Sequence, residues 1–193
     1  MTGSSWNILD QAHDALRAAV DGVKQGQWDA ATPCEAWTVA QVLQHAVGDQ
    51  QAYAGVLTGS GFPDFDPFAP TGELGDDPRA ALEVALSATA EAYQGVAHDA
   101  AEVAVPLPQG PLAANVAAGA AALDAAVHAW DIAVATGQRP LLDDALSAEL
   151  LAIAPQVVEP VRAFAFAPAM ATEGADSPTA QLLKYLGRDP SWS

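Results

Sequence analysis

The chain has 193 residues, of which 51% are hydrophobic and only 7% aromatic, a length that predicts one domain spanning residues 1–193. Much of the apolar content is alanine, a strong helix former, which favours an all-α protein with close helix–helix contacts. Seven lysines and arginines stand against 24 aspartates and glutamates, and the resulting formal charge of −17 excludes nucleic acid and anionic membranes as partners.

The N-terminal part of the chain predicts a cytoplasmic protein. The stretch MTGSSWNILDQ lacks the basic start and the apolar core of a signal peptide, and no apolar run approaches the roughly 20 residues of a membrane span. A first helix is predicted over residues 5–24 from apolar residues at helical spacing. The only cysteine, Cys34, excludes an internal disulfide and fits a reducing compartment. We expect Cys34 to pack rather than to act as a nucleophile, because no base stands near it in sequence.

A second helix begins at Thr38, where Thr38-Val39-Ala40-Gln41 fits a capping box, and its apolar stripe carries His45 on one flank. Trp37 is expected to pack where the chain enters this helix. The stretch that follows, residues 59–77, is rich in Gly, Pro and Phe. Loops of this length are often lids or binding loops, and the alternative is that its phenylalanines plug one end of the core.

The rest of the chain is predicted to be mostly helical. A third helix runs over about residues 78–99, with proline in its first turn, and a fourth over about 112–136, with Gly137 as its C-cap. DDALSAELLAIA predicts a shorter helix, EPVRAFAFAPA an irregular segment, and residues 177–186 a last short helix. Together these elements predict a four-helix bundle with short additional C-terminal helices.

One face of the predicted fourth helix carries three titratable side chains. Asp124, His128 and Asp131 share a stripe with alanines, next to an ordinary core stripe of Leu123, Val127, Trp130 and Val134. A buried carboxylate and a buried imidazole need partners. With their i, i+4 spacing, Asp124 and His128 either hold one divalent metal together or pair with each other.

His45 offers a third ligand from another helix, and three protein ligands leave a position open for water or substrate, as in catalytic sites. Asp49, four residues after His45, is a rival fourth ligand or an orienting group. Asp131 is a candidate support for the ligands, or else a partner of a backbone group or a nearby side chain. His13 and His98 are expected at solvated helix positions.

Three blocks of the sequence resemble a known family. TPCEAWTVAQVLQHAVGDQQAYAGVLTG resembles the opening of the mycothiol-dependent maleylpyruvate isomerase family, part of the DinB-like superfamily. LDAAVHAWDIAVATG resembles the second block of that family, and SPTAQLLKYLGRDPSW resembles the C-terminal signature of an actinobacterial metal-binding subgroup. The blocks keep their order and span almost the whole chain.

The resemblance implies a DinB-like four-helix bundle that holds a divalent metal at one end. Carried over to this sequence, the ligands are His45, Asp124 and His128, and the metal is zinc, with nickel or another ion as an alternative. The isomerases typically have glutamate in place of Asp124, whose shorter side chain would bring the metal closer to the helix, weaken its binding or prevent it. We also expect the separate C-terminal domain of the isomerases to be missing here, which leaves substrate and thiol open.

The function that these features favour is a metal-dependent thiol transferase or isomerase. An open zinc site lowers the pKa of a thiol and polarises a carbonyl, so that mycothiol, the thiol of an actinobacterial host, attacks an electrophile while Asp131 or Asp49 orients a ligand or moves a proton. One alternative is a metal-binding or ligand-binding protein without catalysis. Another is a metal-free enzyme of a specialised biosynthetic pathway, in which His45, His128 and the aspartates do acid–base chemistry on an apolar substrate. Dimers are common among such bundles, which makes a homodimer a further alternative.

Overall fold

The fold is described from a computed structural model that covers residues 6–34 and 37–192. The predicted start of the first helix at Ser5, residues 35–36 of the TPCEAWT block and the last residue of the chain lie outside the described residues. The described part contains helices and two isolated β-bridges but no β-strand. No helix in these ranges is long and apolar enough to cross a membrane.

The predicted all-α bundle is confirmed. The four helices of the bundle are α1 Asn7–Asp21, α2 Val39–Thr58, α3 Pro78–Gln94 and α4 Ala114–Ala135. Helix α1 packs mainly on α4, and α2 packs on α3 and α4. The C-terminal additions are α5 Asp144–Val158, α6 Arg162–Ala165 and α7 Pro178–Tyr185. Helix α5 packs on both α4 and α7, which joins the additions to the bundle.

Side-chain caps fix where several helices begin. The predicted capping box of α2 is present, because Thr38 Oγ1 accepts a hydrogen bond from the Gln41 backbone N–H at 3.4 Å and Gln41 Oε1 accepts one from the Thr38 N–H at 2.9 Å. Side chains also cap the N-termini of α3, α5 and α7, namely Asp77, Asp143 and Ser177.

Helix α4 lies at the centre of the molecule. It is apolar on nearly every face, and a helix of that kind is buried on all sides. Small residues let its neighbours approach closely: a Cβ on Gly119 would lie 1.8 Å from Cδ1 of Ile153 on α5. The polar side chains in the middle of α4 are therefore held inside the protein, with His128 5% and Asp131 0% exposed.

Several predicted boundaries differ from the structure around the connection between α3 and α4. Helix α3 ends at Gln94 rather than near residue 99, and α4 begins at Ala114 rather than near residue 112. The backbones of Val103 and Leu112 pair through two hydrogen bonds of 2.7 and 3.0 Å, which commits Leu112 to an extended connection. Farther on, α5 extends to Val158, and part of the segment expected to be irregular forms α6.

The expectation that His13 is solvated is wrong. Its side chain is 1% exposed, and its Nε2 atom lies 2.9 Å from the Oε1 atom of Gln50. The Gln50 amide in turn donates to the carbonyl of Ala121 at 3.0 Å, so one buried network joins α1, α2 and α4. His98 is exposed, as expected, but it lies in a turn beyond α3, where its ring contacts Trp6 with ring centroids 4.0 Å apart.

Burial of His13 predicts a loss of stability in mild acid. Burial lowers the pKa of His13 to about 4, so between pH 6.5 and 4 the unfolded chain binds a proton that the folded chain does not. Over this window the free energy of unfolding of the wild type should fall about 3 kcal/mol more than that of His13→Gln. Urea unfolding at several pH values measures the difference.

The exposed His98 provides the matched control for this measurement. His98→Gln should retain the acid sensitivity of the wild type, because it removes a histidine from the exposed turn after α3 and leaves the buried His13 and Gln50 in place. If the curves of free energy against pH for the wild type and His13→Gln run parallel, the buried His13 does not limit stability in acid.

Candidate metal centre

Three side chains from two helices converge inside the bundle. His45 comes from α2, and Asp124 and His128 come from successive turns of α4. The Oδ1 atom of Asp124 lies 3.2 Å from Nε2 of His45 and 3.3 Å from Nε2 of His128. Each of the three residues offers one possible ligand atom, and these three atoms all lie within 4.8 Å of one another. The structure thus brings together the three residues that the sequence singled out as ligands, and Asp124, despite its short side chain, reaches both imidazoles.

The loop after α2 orients His45. Its Nδ1 atom lies 2.8 Å from the carbonyl oxygen of Pro67, and because a carbonyl only accepts hydrogen bonds, Nδ1 carries the proton. The Nε2 atom therefore faces Asp124 and, in the neutral ring, offers its lone pair. The ring of Trp37 lies against the imidazole with centroids 4.7 Å apart, which places Trp37 at the start of α2, where it was expected to pack.

A buried chain of charged groups orients His128. Its Nδ1 atom lies 3.0 Å from Oδ2 of Asp131, and Asp131 accepts hydrogen bonds of 2.9 Å from both Nε and Nη2 of Arg188. Asp131 and Arg188 are 0% and 7% exposed. A carboxylate bound to the distal nitrogen of an imidazole is typical of histidines that bind metal through the other nitrogen.

Electrostatic interactions among the side chains of Asp124, His128, Asp131 and Arg188 favour their charged forms. Burial opposes the charge on His128, but the nearby Asp124 and Asp131 outweigh it and raise the pKa of His128 to about 9. Burial likewise opposes the charge on Asp124, and His128 outweighs it and lowers the pKa of that carboxyl. Arg188 does the same for Asp131. Asp124 and His128 therefore form a salt bridge as they stand, which is the pairing that the sequence left open beside metal binding.

The residues present also fit a divalent metal. The Oδ2 atom of Asp124 is buried, and among the described residues no donor lies within hydrogen-bond distance of it. A tetrahedral ion with bonds of about 2.0–2.1 Å keeps its ligand atoms roughly 3.3 Å apart, close to the two measured distances between Asp124 and the histidines. Two imidazole nitrogens and a carboxylate form a donor set that zinc accepts with a position left open.

A cavity of about 870 Å³ opens from this cluster, and the side chains of Asp49 and Tyr53, one and two turns beyond His45 on α2, line it. Burial and the charge of Asp124 raise the pKa of Asp49 well above its usual value, so this carboxyl holds its proton more tightly than an aspartate in water does. Asp49 is not a member of the three-residue ligand cluster, although it lines the same cavity.

The phenylalanines of the loop over residues 59–77 have different surroundings. Phe65 packs against α2, where a Cβ on Gly48 would lie 2.8 Å from its ring. Phe62 and Phe68 instead line the cavity and remain 67% and 55% exposed. One phenylalanine anchors the loop, and two border the cavity.

Sequence reasoning missed Arg188, which holds Asp131 from 57 positions farther along the chain. Its signals were available: it is one of only seven basic residues, and it lies in the C-terminal GRDPSW block. The Pro67 carbonyl was missed as well, because a backbone acceptor leaves no mark in a residue pattern. Cys34 packs against the core as expected, and it also lines the cavity.

Comparison with known proteins identifies relatives of this arrangement. The sequence model of the family described as "Mycothiol maleylpyruvate isomerase N-terminal domain" matches residues 9–133, and this match and the helical bundle together confirm the predicted DinB-like fold. The chain is similar to two proteins of Mycobacterium tuberculosis, named Uncharacterized protein MT0763 (strain CDC 1551 / Oshkosh) and Uncharacterized protein Rv0738 (strain ATCC 25618 / H37Rv). Each is 32% identical over 183 residues, covering 92% of this chain and 94% of the relative. No solved structure gives a significant match.

The contact between Asp131 and His128 predicts an effect on metal affinity from a residue that does not bind the metal. Asp131→Asn removes the charge that supports the His128 ring, and zinc affinity should fall roughly 10- to 100-fold. Competition with a chromophoric chelator at pH 7.5 measures the dissociation constant.

Asp49→Asn is the matched control, since it makes the same chemical change at a carboxyl that lines the cavity beside Asp124, whereas the Nδ1 hydrogen bonds of the two histidine rings go to other residues. Zinc affinity should change less than about threefold, because Asp49 lies outside the ligand cluster. A large loss in Asp49→Asn with none in Asp131→Asn would reverse the roles assigned to the two aspartates.

Proposed function

The chain belongs to the mycothiol maleylpyruvate isomerase N-terminal domain family, and on this premise we propose that it is a divalent-metal-dependent enzyme that uses a low-molecular-weight thiol such as mycothiol. The proposed reaction is the transfer of the thiol to an electrophile or a thiol-assisted isomerisation, and the proposed metal is zinc. The ligands are His45, Asp124 and His128.

One observation carries this proposal. Both histidines have their Nδ1 atoms committed to hydrogen bonds, and their Nε2 atoms converge on Asp124 beside a cavity large enough for small molecules. Groups arranged only to pair with one another need no such cavity. The three ligands leave a position open, which is the pattern of catalytic sites.

The side chains around the cluster have distinct tasks in this proposal. A bound divalent ion supplies a lowered thiol pKa and polarises a carbonyl. Asp131 holds the His128 ring in place and does not touch the substrate. When the thiol adds to a carbon–carbon double bond, the thiol proton leaves to solvent, the sulfur–carbon bond forms as the π bond breaks, and the electron pair of the π bond moves to the neighbouring carbon. Asp49, which lines the cavity and whose pKa is raised, is placed to give that carbon a proton. The apolar walls exclude water from the reacting groups.

A specific observation favours a second candidate, a metal-free acid–base enzyme. His128, whose pKa is raised to about 9, forms a salt bridge with Asp124, and Asp49 lines the same cavity, so a protonated imidazole and two carboxyl groups already face one cavity. In that case the same residues would move protons on a bound substrate without an ion.

Zinc titration and a thiol-transfer assay separate the two candidates. The proposal predicts one tightly bound zinc per chain, and at least a 100-fold loss of affinity in His128→Ala and in the isosteric Asp124→Asn, since each removes one of three ligands. Consumption of mycothiol with 1-chloro-2,4-dinitrobenzene, in which sulfur displaces chloride, should require the zinc.

Circular dichroism and thermal unfolding confirm that each variant is folded before its affinity is interpreted. Equal zinc affinity in the wild type and His128→Ala would exclude these ligands. Turnover that survives exhaustive chelation, and still requires His128, would support the metal-free enzyme instead.

A further inference from the structure

Three exposed phenylalanines surround the mouth of the cavity. Phe62 and Phe68 come from the loop after α2, and Phe164 comes from α6; their exposures are 67%, 55% and 68%. All three line the cavity, and the rings of Phe68 and Phe164 meet edge to face with centroids 6.3 Å apart. Large apolar side chains clustered in water around a concave site mark a surface that a ligand covers.

The walls behind this mouth are apolar as well. Leu107 comes from the connection between α3 and α4, Val127 from α4, and Val157 and Val161 from α5 and the turn after it. Phe68 links the mouth to the cluster, because its ring meets the imidazole of His45 with centroids 5.7 Å apart. A ligand whose reacting group reaches the cluster therefore has its remaining atoms against hydrocarbon.

The cavity offers no unpaired cation to such a ligand. Among the described residues that line it, Arg188 is the only lysine or arginine, and its guanidinium donates to both carboxylate oxygens of Asp131. A carboxylate at the far end of a ligand would lose its hydration without gaining a partner, which is costly. The chain as a whole, with a formal charge of −17, adds repulsion to that cost.

We infer that the substrate carries one polar reacting group on an uncharged apolar body, aromatic or aliphatic, which the walls and the Phe62, Phe68 and Phe164 mouth cover, and that it is not a dicarboxylate. The placement of the reacting group at the cluster rests on the proposed function. The apolar body rests on the cavity alone, so the two parts fail independently in the experiments below.

The first experiment uses N-phenyl-1-naphthylamine, an uncharged dye that fluoresces in apolar surroundings, with the full chain in zinc and in EDTA. We expect one dye molecule to bind in both conditions, and affinity to fall at least fivefold in Phe164→Asp. Val84→Asp is the matched control, because Val84 is 66% exposed on α3 and does not line the cavity, and its affinity should equal that of the wild type.

Absence of dye binding in both conditions, or equal loss in Phe164→Asp and Val84→Asp, would overturn the inference. Dye binding without any zinc binding would leave the apolar body standing and remove the proposed metal enzyme. Zinc binding without dye binding would leave the proposed metal site standing and remove the apolar body of the substrate.

The second experiment tests the exclusion of a distal anion. Octanohydroxamate and the monohydroxamate of suberic acid share a metal-binding head and chain length, and they differ only in a terminal methyl against a terminal carboxylate. With the zinc-loaded protein we expect the methyl compound to displace the dye at least tenfold more effectively. Leu107→Arg, which places a cation on the wall, should reduce this preference at least threefold. Equal displacement by the two compounds, or an unchanged preference in Leu107→Arg, would overturn the exclusion.

Discussion

Each site histidine has only one nitrogen available to the cavity, because a hydrogen bond at Nδ1 occupies the other. For His45 the partner is the Pro67 carbonyl, and for His128 it is the Asp131 carboxylate. These two bonds decide that both Nε2 atoms face Asp124, and the site depends on that convergence. Pro67 lies in the loop after α2, and Asp131 lies on α4 but is held by Arg188, which follows α7. The loop after α2 and the C-terminal part of the chain are therefore parts of the site.

The loop keeps its position through close contacts with α2. A Cβ on Gly55 would lie 1.7 Å from the Gly61 carbonyl oxygen, so only glycine at residue 55 allows the chain to turn back there. Farther along, the Gln44 side chain accepts a hydrogen bond from the Gly72 N–H at 2.8 Å, and Gln41 donates to the Pro70 carbonyl at 3.0 Å. These polar contacts place the Pro67 carbonyl within reach of His45. The same helix that carries the ligand thus fixes the loop that orients it.

The sequence predicted the features that repeat along a helix and missed those that depend on contacts distant in sequence. The capping box at Thr38 and the stripe holding Asp124 and His128 follow from spacing alone. The addition of His45 from α2 rested instead on the predicted bundle and on the resemblance to the family, because its contact with Asp124 joins residues 79 positions apart. His13 lies four residues after Leu9 and three before Leu16, so its spacing places it on the buried face of α1, and the prediction was wrong because residue type was weighed above position. The partner that makes its burial possible, Gln50 of α2, is distant in sequence. Arg188 meets Asp131 because α7 packs on α5 and α5 on α4, a route that no local pattern contains.

The pair of Arg188 and Asp131 is better understood as a positioning device than as a source of stability. Both side chains leave water almost completely, and a buried ion pair often contributes no more than apolar residues of similar size would. Asp131 nevertheless uses Oδ2 for both His128 and Arg188, so the guanidinium fixes the carboxylate at the place where it meets the imidazole. Removing Arg188 leaves the buried Asp131 carboxylate to His128 alone, and removing Asp131 takes the carboxylate away from the buried guanidinium. The arrangement therefore links the C-terminal end of the chain to the orientation of one imidazole, and a shift of α7 would change which direction His128 Nε2 faces.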